Sequence, residues 1–395
     1  MEFRLTREEE AWRDEVRGFF EREVTAQIRE ELRQKGFSRQ LHLKMAQADI
    51  LAAALPREYG GRSLSPLKQF IFNDELARAK MPFGVTSAIG NSVHVLGGTL
   101  VSHGNEEQKK RWLPMIVKGE LISSQGLTEP NAGSDLASVE LRAIEDGDCY
   151  VLNGTKLYSN ALNATHMLTV TRTDNTMPKY RGISLFLVDL SSPGVVITPL
   201  ISIGGDLRAE VSFSDVRVPK FNLIGEKNRG WYHLVSGGAM VLERTQPAPW
   251  NRPSFLFEEF VEYVKHAQRE GQPLSNVPAV RYALADLAVE VKIAWLLNYR
   301  AAWMLERGMD VSSKEVPMAK LCLTELLERF ANTAIDILGQ SGQLESWGLE
   351  QRWVPLKGGI AREYRDSREL QIGGGTSEIQ RNIIAIRGLG LPRAR

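Results

Sequence analysis

Apolar residues near the N-terminus follow a helical pattern. They recur at intervals of three and four, at Trp12, Val16, Phe19 and Phe20. This is the spacing of one face of an amphipathic α-helix. Thr6 followed by Glu9 is typical of a capping box at the start of that helix. Helical spacing recurs further along, and residues 1–119 are predicted to form a helical domain.

The pattern changes between residues 120 and 232, where the stretches become strand-like. They include CYVLNGTKLYS (149–159), GISLFLVDL (182–190) and AEVSFSDVRVP (209–219). Within the first of these, Asn153-Gly154 lies between two strand-like runs, and this dipeptide predicts a two-residue hairpin turn. Residues 120–232 are therefore predicted to form a β domain.

Helical spacing returns from about residue 233 to the end of the chain. Two long stretches with an apolar face, residues 280–305 and 317–339, predict long helices, and Gly339 predicts the end of the second. The order is thus a helical domain, a β domain and a second helical domain at 233–395, which indicates an α+β fold.

Composition narrows the class of protein. The chain has 395 residues, 43% hydrophobic and 25% charged, with a formal net charge of +1. It is long enough for a substantial core, and its charge favours neither a nucleic-acid nor a membrane partner. Two cysteines and six scattered histidines argue against a disulfide framework and a metal site. No apolar run reaches membrane-spanning length, and the N-terminus lacks a signal-peptide core. We expect a soluble cytoplasmic protein.

Residues 126–135, GLTEPNAGSD, predict a loop at the entry to the β domain. Pro130 and Gly133 favour a bend that exposes backbone N–H groups, and Thr128 and Ser134 add hydroxyl donors. Such a loop suits a planar polar heterocycle or a phosphate. An ordinary surface turn would have the same composition.

Residues 373–381, GGGTSEIQR, form a second loop of this type. The three glycines remove side chains near the bend. Thr376 or Ser377 can cap the helix that follows, and Gln380 stands at the capping-box position relative to Ser377. The helix N-terminus then offers N–H groups to an anion or a carbonyl oxygen. A capped helix after a flexible turn would carry the same residues.

Glu243 and Arg244 lie inside an otherwise apolar stretch, MVLERTQPAP (240–249). Burial raises the pKa of a carboxyl group, which makes a glutamate an effective base near neutral pH. The alternative is an exposed Glu–Arg pair on a helix.

Together these stretches resemble the acyl-CoA dehydrogenase family nearly end to end. LTEPNAGSD (127–135) is similar to its flavin-loop signature, and GGTSEIQRNIIA (374–385) is similar to its C-terminal signature. Further similar segments are YGGRSLSPLKQFIFNDELARA (59–79), HGNEEQKKRWLPMIVKGE (103–120) and DVRVP (215–219). The resemblance implies an N-terminal helical domain, a middle β-barrel-like domain and a C-terminal four-helix bundle domain, with FAD between the last two.

The resemblance also implies a chemistry, the oxidation of the Cα–Cβ bond of an acyl-CoA thioester to the trans-2-enoyl-CoA. In the family a glutamate removes the α-proton, and the β-hydrogen leaves as hydride to flavin N5. Hydrogen bonds stabilise the thioester oxygen. The implied electron acceptor is an electron-transfer flavoprotein, and an oxidase that reduces O2 is the alternative within the same fold. Similarity to members that act on steroid side chains favours a bulky or cyclic acyl group.

Individual residues match family positions. The middle-domain positions that match flavin contacts are Gln125, Leu127, Thr128, Gly133, Ser134, Tyr158, Ser159 and Asn160. The last three match the segment that covers the flavin ring, where the family usually has a tryptophan first. The matching positions in the C-terminal signature are Thr376, Ser377 and Glu378. The positions that match substrate contacts are Ser134, Arg244, Gly374 and Gly375.

Gly374 occupies the position at which many family members carry their catalytic glutamate. Other members place that glutamate on a helix of the last domain, directly before an arginine. Glu243 matches this second position. The resemblance therefore implies Glu243 as the catalytic base.

Positions that match the family's flavin contacts across a dimer interface depart from its pattern. Ala267 stands in place of an arginine, Glu270 of a phenylalanine, Asp336 of a glutamine and Gln340 of a glycine. Negative charge near a pyrophosphate is repulsive. This favours an α2β2 heteromer in which a homologous subunit completes the site. The alternatives are a homotetramer in which Arg269 replaces the missing arginine, and a degenerate acyl-CoA-binding subunit whose partner carries out the chemistry.

Overall fold

The computed structural model describes residues 4–236, 252–345 and 353–393. Contacts divide the chain into two compact units. The first contains residues 5–202 and 206–236, and the second contains residues 252–345 and 353–393 together with Arg4 and Ile203–Gly205.

Helices form the N-terminal part of the first unit. They are α1 (Arg7–Glu23), α2 (Ala26–Lys35), α3 (Arg39–Gln47), α4 (Pro66–Arg78), α5 (Phe83–Ile89), a π-helix (Gly90–Gly97), α6 (Gly98–His103) and α7 (Glu106–Val117). The predicted capping box of α1 is confirmed, because the Thr6 hydroxyl accepts from the Glu9 N–H and the Glu9 carboxylate accepts from the Thr6 N–H. The apolar residues predicted for the inner face of α1 are buried in the core.

A mixed sheet follows the helices in the same unit. Its strands are β1 (Ser123–Gly126), β2 (Arg142–Asp146), β3 (Cys149–Ser159), β4 (His166–Arg172), β5 (Ile183–Asp189), β6 (Val195–Ile201), β7 (Leu207–Pro219) and β8 (Leu223–Ile224). The spatial order is β6-β7-β3-β2-β4-β5-β8, and β1 pairs with β4 in parallel. A short helix, α8 (Gly230–Ser236), comes next. Strand β3 pairs with β7 on one edge and with β2 on the other, so both of its edges are fixed.

The predicted hairpin turn at Asn153-Gly154 is wrong. Residues Cys149–Ser159 form one continuous strand, and the dipeptide lies at an irregularity in its pairing with β7. Gly154 has a φ of 144°, and the Asn153 side chain exchanges two hydrogen bonds with Asp215 at 3.0 and 2.9 Å. The dipeptide therefore accommodates a β-bulge, which needs the same backbone freedom as a tight turn.

The second unit is helical. Its longer helices are α9 (Arg252–His266), α10 (Pro278–Glu306), α11 (Glu315–Leu338) and α12 (Gly359–Ile372), followed by α13 (Ser377–Ile383) and a π-helical turn (Ile384–Gly388). Two short strands, β9 (Gln268–Arg269) and β10 (Gln272–Pro273), form a hairpin after α9. The two long helices predicted from the sequence are confirmed, and Gly339, with a φ of 62°, ends α11 as predicted. Within the described ranges, no helix is long and apolar enough to cross a membrane.

Candidate functional site

The middle-domain loop, residues 126–135, begins at the end of β1. A pair of backbone hydrogen bonds between Glu129 and Ala132, at 3.0 and 3.2 Å, closes its first bend. The Thr128 carbonyl accepts from the Leu157 N–H at 2.8 Å. This bond attaches the loop to β3, so the first half of the loop has a fixed backbone.

A buried ion pair lies beneath this loop. Lys156 on β3 has a fully buried side chain, that of Glu129 is 5% exposed, and Nζ lies 2.7 Å from Oε1. The ammonium also donates to the Leu127 carbonyl at 3.1 Å. The Glu129 carboxylate accepts from the backbone N–H groups of Glu140 and Leu141 at 2.6 and 3.0 Å. Burial lowers the pKa of Lys156 to about 8, against the opposing effect of the Glu129 carboxylate, so the amine is mainly protonated at neutral pH.

This ion pair was not predicted from the sequence. Lys156 lies in the strand-like stretch that begins at Cys149, and Glu129 lies within the loop, but neither was assigned a role. The alternation of side chains along the strand indicates that Lys156 is buried, because it falls on the same face as Tyr150 and Leu152, both of which are buried. A lysine in phase with core residues needs a buried partner.

Residues 158–160, at and just beyond the end of β3, correspond to the predicted covering segment. Tyr158 has a φ of 59° and is 65% exposed. This left-handed conformation is uncommon for a bulky residue, and such strained residues cluster at functional sites. The buried Ser159 hydroxyl donates to a carbonyl of β7 at 3.2 Å, and the Asn160 N–H donates to the Ser124 hydroxyl on β1 at 3.1 Å. The backbone is therefore fixed immediately after the exposed tyrosine.

The remaining predicted residues of the middle domain differ in exposure. Gln125 is half-buried and its side-chain amide donates to Asn91 of the π-helix at 2.9 Å. Thr128 is half-buried, whereas Gly133 and Ser134 are exposed in the second half of the loop. Hydrogen bonds between β1, the loop and β3 thus bring Gln125, Thr128 and the covering segment together at one end of the sheet.

The C-terminal loop, residues 373–376, is anchored by buried side chains of the second unit. Gly374 and Gly375 have φ values of 68° and 90°. Lys320 on α11, which is 1% exposed, donates to the Gly375 carbonyl at 2.9 Å. The amide of the fully buried Gln380 donates to the Gly374 and Gly375 carbonyls at 3.0 and 3.1 Å. A Cβ placed on Gly374 would meet nothing within 4 Å, so the space beside it is open.

Thr376 is the N-cap of α13, and its hydroxyl accepts from the Ile379 N–H at 3.2 Å. The predicted capping box between Ser377 and Gln380 is wrong, because Ser377 is already the first helical residue and Gln380 turns back to the C-terminal loop. The Ser377 hydroxyl and the side-chain amide oxygen of Gln380 are buried without a hydrogen-bond partner in the part of the chain that the structure describes. Unpaired buried polar atoms are costly, which makes them candidate ligand contacts.

Two of the predicted site residues, Glu243 and Arg244, lie outside the described residues. Glu378, in contrast, is exposed in the first turn of α13. Hydrogen bonds from its own backbone N–H and from the Thr376 hydroxyl hold its pKa below the usual value. This carboxylate is therefore ionised and already hydrogen-bonded at neutral pH.

The positions that depart from the dimer-interface pattern lie on the second unit. Glu270 has a φ of 52° in the turn between β9 and β10 and is exposed, as are Asp336 and Gln340 at the end of α11. Arg269 donates to the Ile337 carbonyl of the same chain. Arg269 thus contacts the end of α11, close to the residues that the prediction singled out.

Metal chemistry has no support from side-chain geometry, since no group of three or more potential ligands could hold an ion within residues 4–236, 252–345 and 353–393. Both cysteines, Cys149 and Cys322, are free thiols.

Comparisons with known proteins cover the whole chain. Family models described as the acyl-CoA dehydrogenase N-terminal, middle and C-terminal domains match residues 6–120, 124–216 and 252–389. The probable acyl-CoA dehydrogenase YngJ of Bacillus subtilis (strain 168) is 33% identical over 398 residues, covering 98% of this chain and 99% of the relative.

Solved structures give the same result. A chain of the ChsE4-ChsE5 complex from Mycobacterium tuberculosis superposes with a TM-score of 0.89 at 32% identity, with 100% of both chains covered. A chain of the Tcur3481-Tcur3483 steroid ACAD also has a TM-score of 0.89, at 30% identity and with full coverage of both chains. The matches in all three domains and the end-to-end similarity establish that the chain belongs to the acyl-CoA dehydrogenase family of FAD-dependent oxidoreductases.

Proposed function

We propose that the chain is a subunit of an acyl-CoA dehydrogenase that oxidises the Cα–Cβ bond of an acyl-CoA thioester to the 2-enoyl-CoA. Family membership over all three domains supports this activity. The observation that carries the assignment of the site is that both signature loops have accessible residues and a backbone anchored by buried side chains. A site that binds a cofactor through backbone groups needs this combination.

The residues of the two loops fit FAD. The Ser377 hydroxyl and the side-chain amide oxygen of Gln380 are buried polar atoms that a bound cofactor could satisfy. The exposed ring of Tyr158 offers an aromatic surface for a planar heterocycle. The residues we propose to hold the cofactor are Gln125, Leu127, Thr128, Gly133, Ser134, Tyr158, Ser159, Asn160, Thr376, Ser377 and Glu378.

FAD supplies a two-electron acceptor for the β-hydrogen, and the remaining tasks fall to side chains and backbone groups of this chain. We assign removal of the α-proton to Glu243, because the thioester carbonyl acidifies that position and a positioned carboxylate can accept the proton. Arg244 lies next to it in the chain and is assigned to the substrate, and Ser134 to the pantetheine arm. Gly374 and Gly375 are assigned to the acyl group, and a Cβ placed on Gly374 would meet nothing within 4 Å.

Other carboxylates of the two signatures are poor candidates for the base. Glu129 is ion-paired with Lys156, and Glu378 is exposed and hydrogen-bonded to Thr376. Gly374 has no side chain at the position that carries the glutamate in many relatives. These observations support the assignment of Glu243.

The substitution Glu243→Gln tests the assignment, because it removes the base and keeps the size of the side chain. In the enzyme assembled with its partner subunit, we expect turnover to fall by about 10²–10⁴-fold, the usual contribution of a general base, with FAD content unchanged. Anaerobic reduction of bound flavin by acyl-CoA measures the step directly. Glu262→Gln, at an exposed carboxylate on α9, is the matched control. Unchanged turnover in Glu243→Gln would contradict the assignment and favour a degenerate subunit whose partner carries out the chemistry.

We further propose that the chain works beside a homologous partner subunit in an α2β2 assembly. The exposed acidic residues Glu270 and Asp336 would repel a pyrophosphate, and Arg269 already donates to a carbonyl of its own chain. Two of the similar structures are described by pairs of subunit names, ChsE4-ChsE5 and Tcur3481-Tcur3483. The second is described as a steroid ACAD, which supports a bulky acyl group as the substrate of this chain.

The ratio of FAD to protein in the chain purified alone tests the heteromer. We expect little bound flavin, because one half of the cofactor site would come from the partner. A full complement of FAD would instead support a homotetramer in which Arg269 serves as the missing arginine. We propose an electron-transfer flavoprotein as the acceptor; oxygen consumption stoichiometric with turnover would show that the enzyme is an oxidase.

A further inference from the structure

The ion pair between Lys156 and Glu129 has no role in the proposed reaction, yet it is the most deeply buried pair of opposite charges described in this chain. The exposed fractions of the two side chains are 0% and 5%. Burying two charges carries a desolvation cost that their attraction often only balances. Stability alone is therefore a weak reason for this pair, and its position suggests another.

The pair joins both ends of the same chain segment. On one side, Lys156 donates to the Leu127 carbonyl at 3.1 Å and to Glu129 at 2.7 Å, both in the first half of the middle-domain loop. On the other side, the Glu129 carboxylate accepts from the N–H groups of Glu140 and Leu141, at 2.6 and 3.0 Å. Residues 130–139 therefore begin and end next to this ion pair, which fixes both ends of the segment.

The same strand that supplies Lys156 also presents the covering segment. Leu157 donates its N–H to the Thr128 carbonyl at 2.8 Å, and Tyr158 follows with its strained backbone and exposed ring. Consecutive residues of β3 therefore hold the loop and carry the tyrosine. A shift of the loop relative to β3 would change the spacing between Thr128 and Tyr158.

We propose that Lys156 and Glu129 form a latch that positions the middle-domain loop against the covering segment, so that both contact the flavin in one register. Lys156 and Glu129 are positioning residues that act through Thr128 and Tyr158. The inference rests on the proposed assignment of those two residues to the flavin. Charge-assisted hydrogen bonds suit this role, because they are stronger and more directional than apolar contacts.

The test compares Lys156→Met and Glu129→Gln with the double variant that carries both substitutions. Each single variant unbalances the buried charge. The double variant is neutral and retains the shapes of both side chains, so it is expected to fold even where a single variant does not. Lys227→Met is the matched control, because Lys227 pairs with Glu145 at 2.8 Å in the same unit but is 44% exposed.

Two measurements on the full-length chain separate positioning from folding. Without FAD, hydrogen exchange of the amides of residues 127–141 and of Leu157 reports on the loop itself. With FAD added to the chain assembled with its partner subunit, a titration gives the affinity, and the absorption spectrum reports on the flavin environment. Unfolding by urea, measured in parallel, identifies variants that are merely unstable.

We expect the double variant to recover most of the stability lost in Lys156→Met, but not the behaviour of the loop. Amide exchange at Glu140, Leu141 and Leu157 should be about tenfold faster than in the wild type. The affinity for FAD should fall at least about tenfold, the loss expected for a charge-assisted hydrogen bond. The control should match the wild type in both measurements.

Wild-type exchange in the double variant would overturn the latch. Faster exchange with unchanged affinity and spectrum would show that the pair holds the loop without positioning the flavin, which also overturns the proposal. If the wild-type chain bound no FAD even with its partner subunit, the proposed function would fail, while the exchange data would still decide whether the latch exists.

Discussion

The middle-domain loop and the C-terminal loop are both bends anchored by a buried lysine, but the two lysines are used differently. Lys156 forms an ion pair with Glu129, a residue of the loop itself, at 2.7 Å. Lys320 donates to main-chain carbonyls, that of Gly375 at 2.9 Å and that of Gln371 at 3.4 Å. The neutral side-chain amide of Gln380 also donates to the Gly375 carbonyl, and to that of Gly374.

The difference follows from the composition of the two loops. In the C-terminal loop, Gly374 and Gly375 adopt positive φ values, so their carbonyl oxygens can turn toward buried donors without a clash of side chains. The middle-domain loop has a carboxylate inside its first bend, and this side chain provides the anchor. One loop is therefore anchored through a carboxylate of its own, and the other through backbone carbonyls that accept from Lys320 and Gln380. This comparison predicts how much each lysine contributes to the free energy of unfolding.

The largest loss of stability is expected for Lys156→Met, which leaves the Glu129 carboxylate buried without its counter-charge. Removing one partner of a buried pair costs about 3–5 kcal/mol. Urea unfolding of the full-length chain measures the loss, and Lys227→Met should cost less than about 1 kcal/mol because its pair is exposed. A loss for Lys156→Met no larger than that of the control would show that the two anchors do not differ in the way proposed.

A smaller effect is expected for Lys320→Met. It removes a charged donor from the Gly375 carbonyl, but Gln380 still donates to that carbonyl at 3.1 Å. The loss of a hydrogen bond from a charged group is worth about 1.5–3 kcal/mol, which should appear as a lower midpoint of urea unfolding. Lys265→Met, at an exposed lysine on α9, is the control. A loss equal to or larger than that of Lys156→Met would break the comparison.

Much of the fold could be predicted from the sequence because its signals are local. The capping box of α1, the two long helices and the stop at Gly339 each depend on residues a few positions apart. The anchors could not be predicted in this way. Lys156 and Glu129 are 27 residues apart, and Lys320 and Gly375 are 55 apart, so only the folded chain brings them together.

The candidate site shows the same division. The two signature loops were located correctly by their glycines and small polar residues. Asn153-Gly154 was assigned to a turn because a hairpin and a β-bulge need the same backbone conformations locally. Asp215, which bonds to Asn153 in the bulge, is 62 residues away along the chain, so this contact leaves no local signal in the sequence. In the C-terminal signature Thr376, one of the two residues predicted as the cap, caps the helix, and only the capping box between Ser377 and Gln380 was wrong.

The smallest effect at neutral pH is expected at His42, a buried titratable group that lacks the partners both lysines have. His42 on α3 is 1% exposed, and neither ring nitrogen has a hydrogen-bond partner among the described residues. Burial, with a smaller contribution from Arg39, lowers its pKa from 6.5 to about 4. The neutral ring is therefore compatible with the core, and His42→Leu should change stability little at pH 7.5.

At acidic pH, protonation of His42 should lower the stability of the folded chain. Because the pKa of His42 is lower in the folded chain than in the unfolded chain, the unfolded state binds an additional proton as the pH falls below about 6.5, and stability is lost until the pH reaches about 4. At pH 5 this loss amounts to about 2 kcal/mol. Urea unfolding at pH 7.5 and 5.0 should show a smaller difference for His42→Leu than for the wild type, whereas the same substitution at the exposed His266 controls for net charge. An unchanged difference would mean that His42 finds a partner in solution, and a buried imidazole would then resemble the two anchored lysines after all.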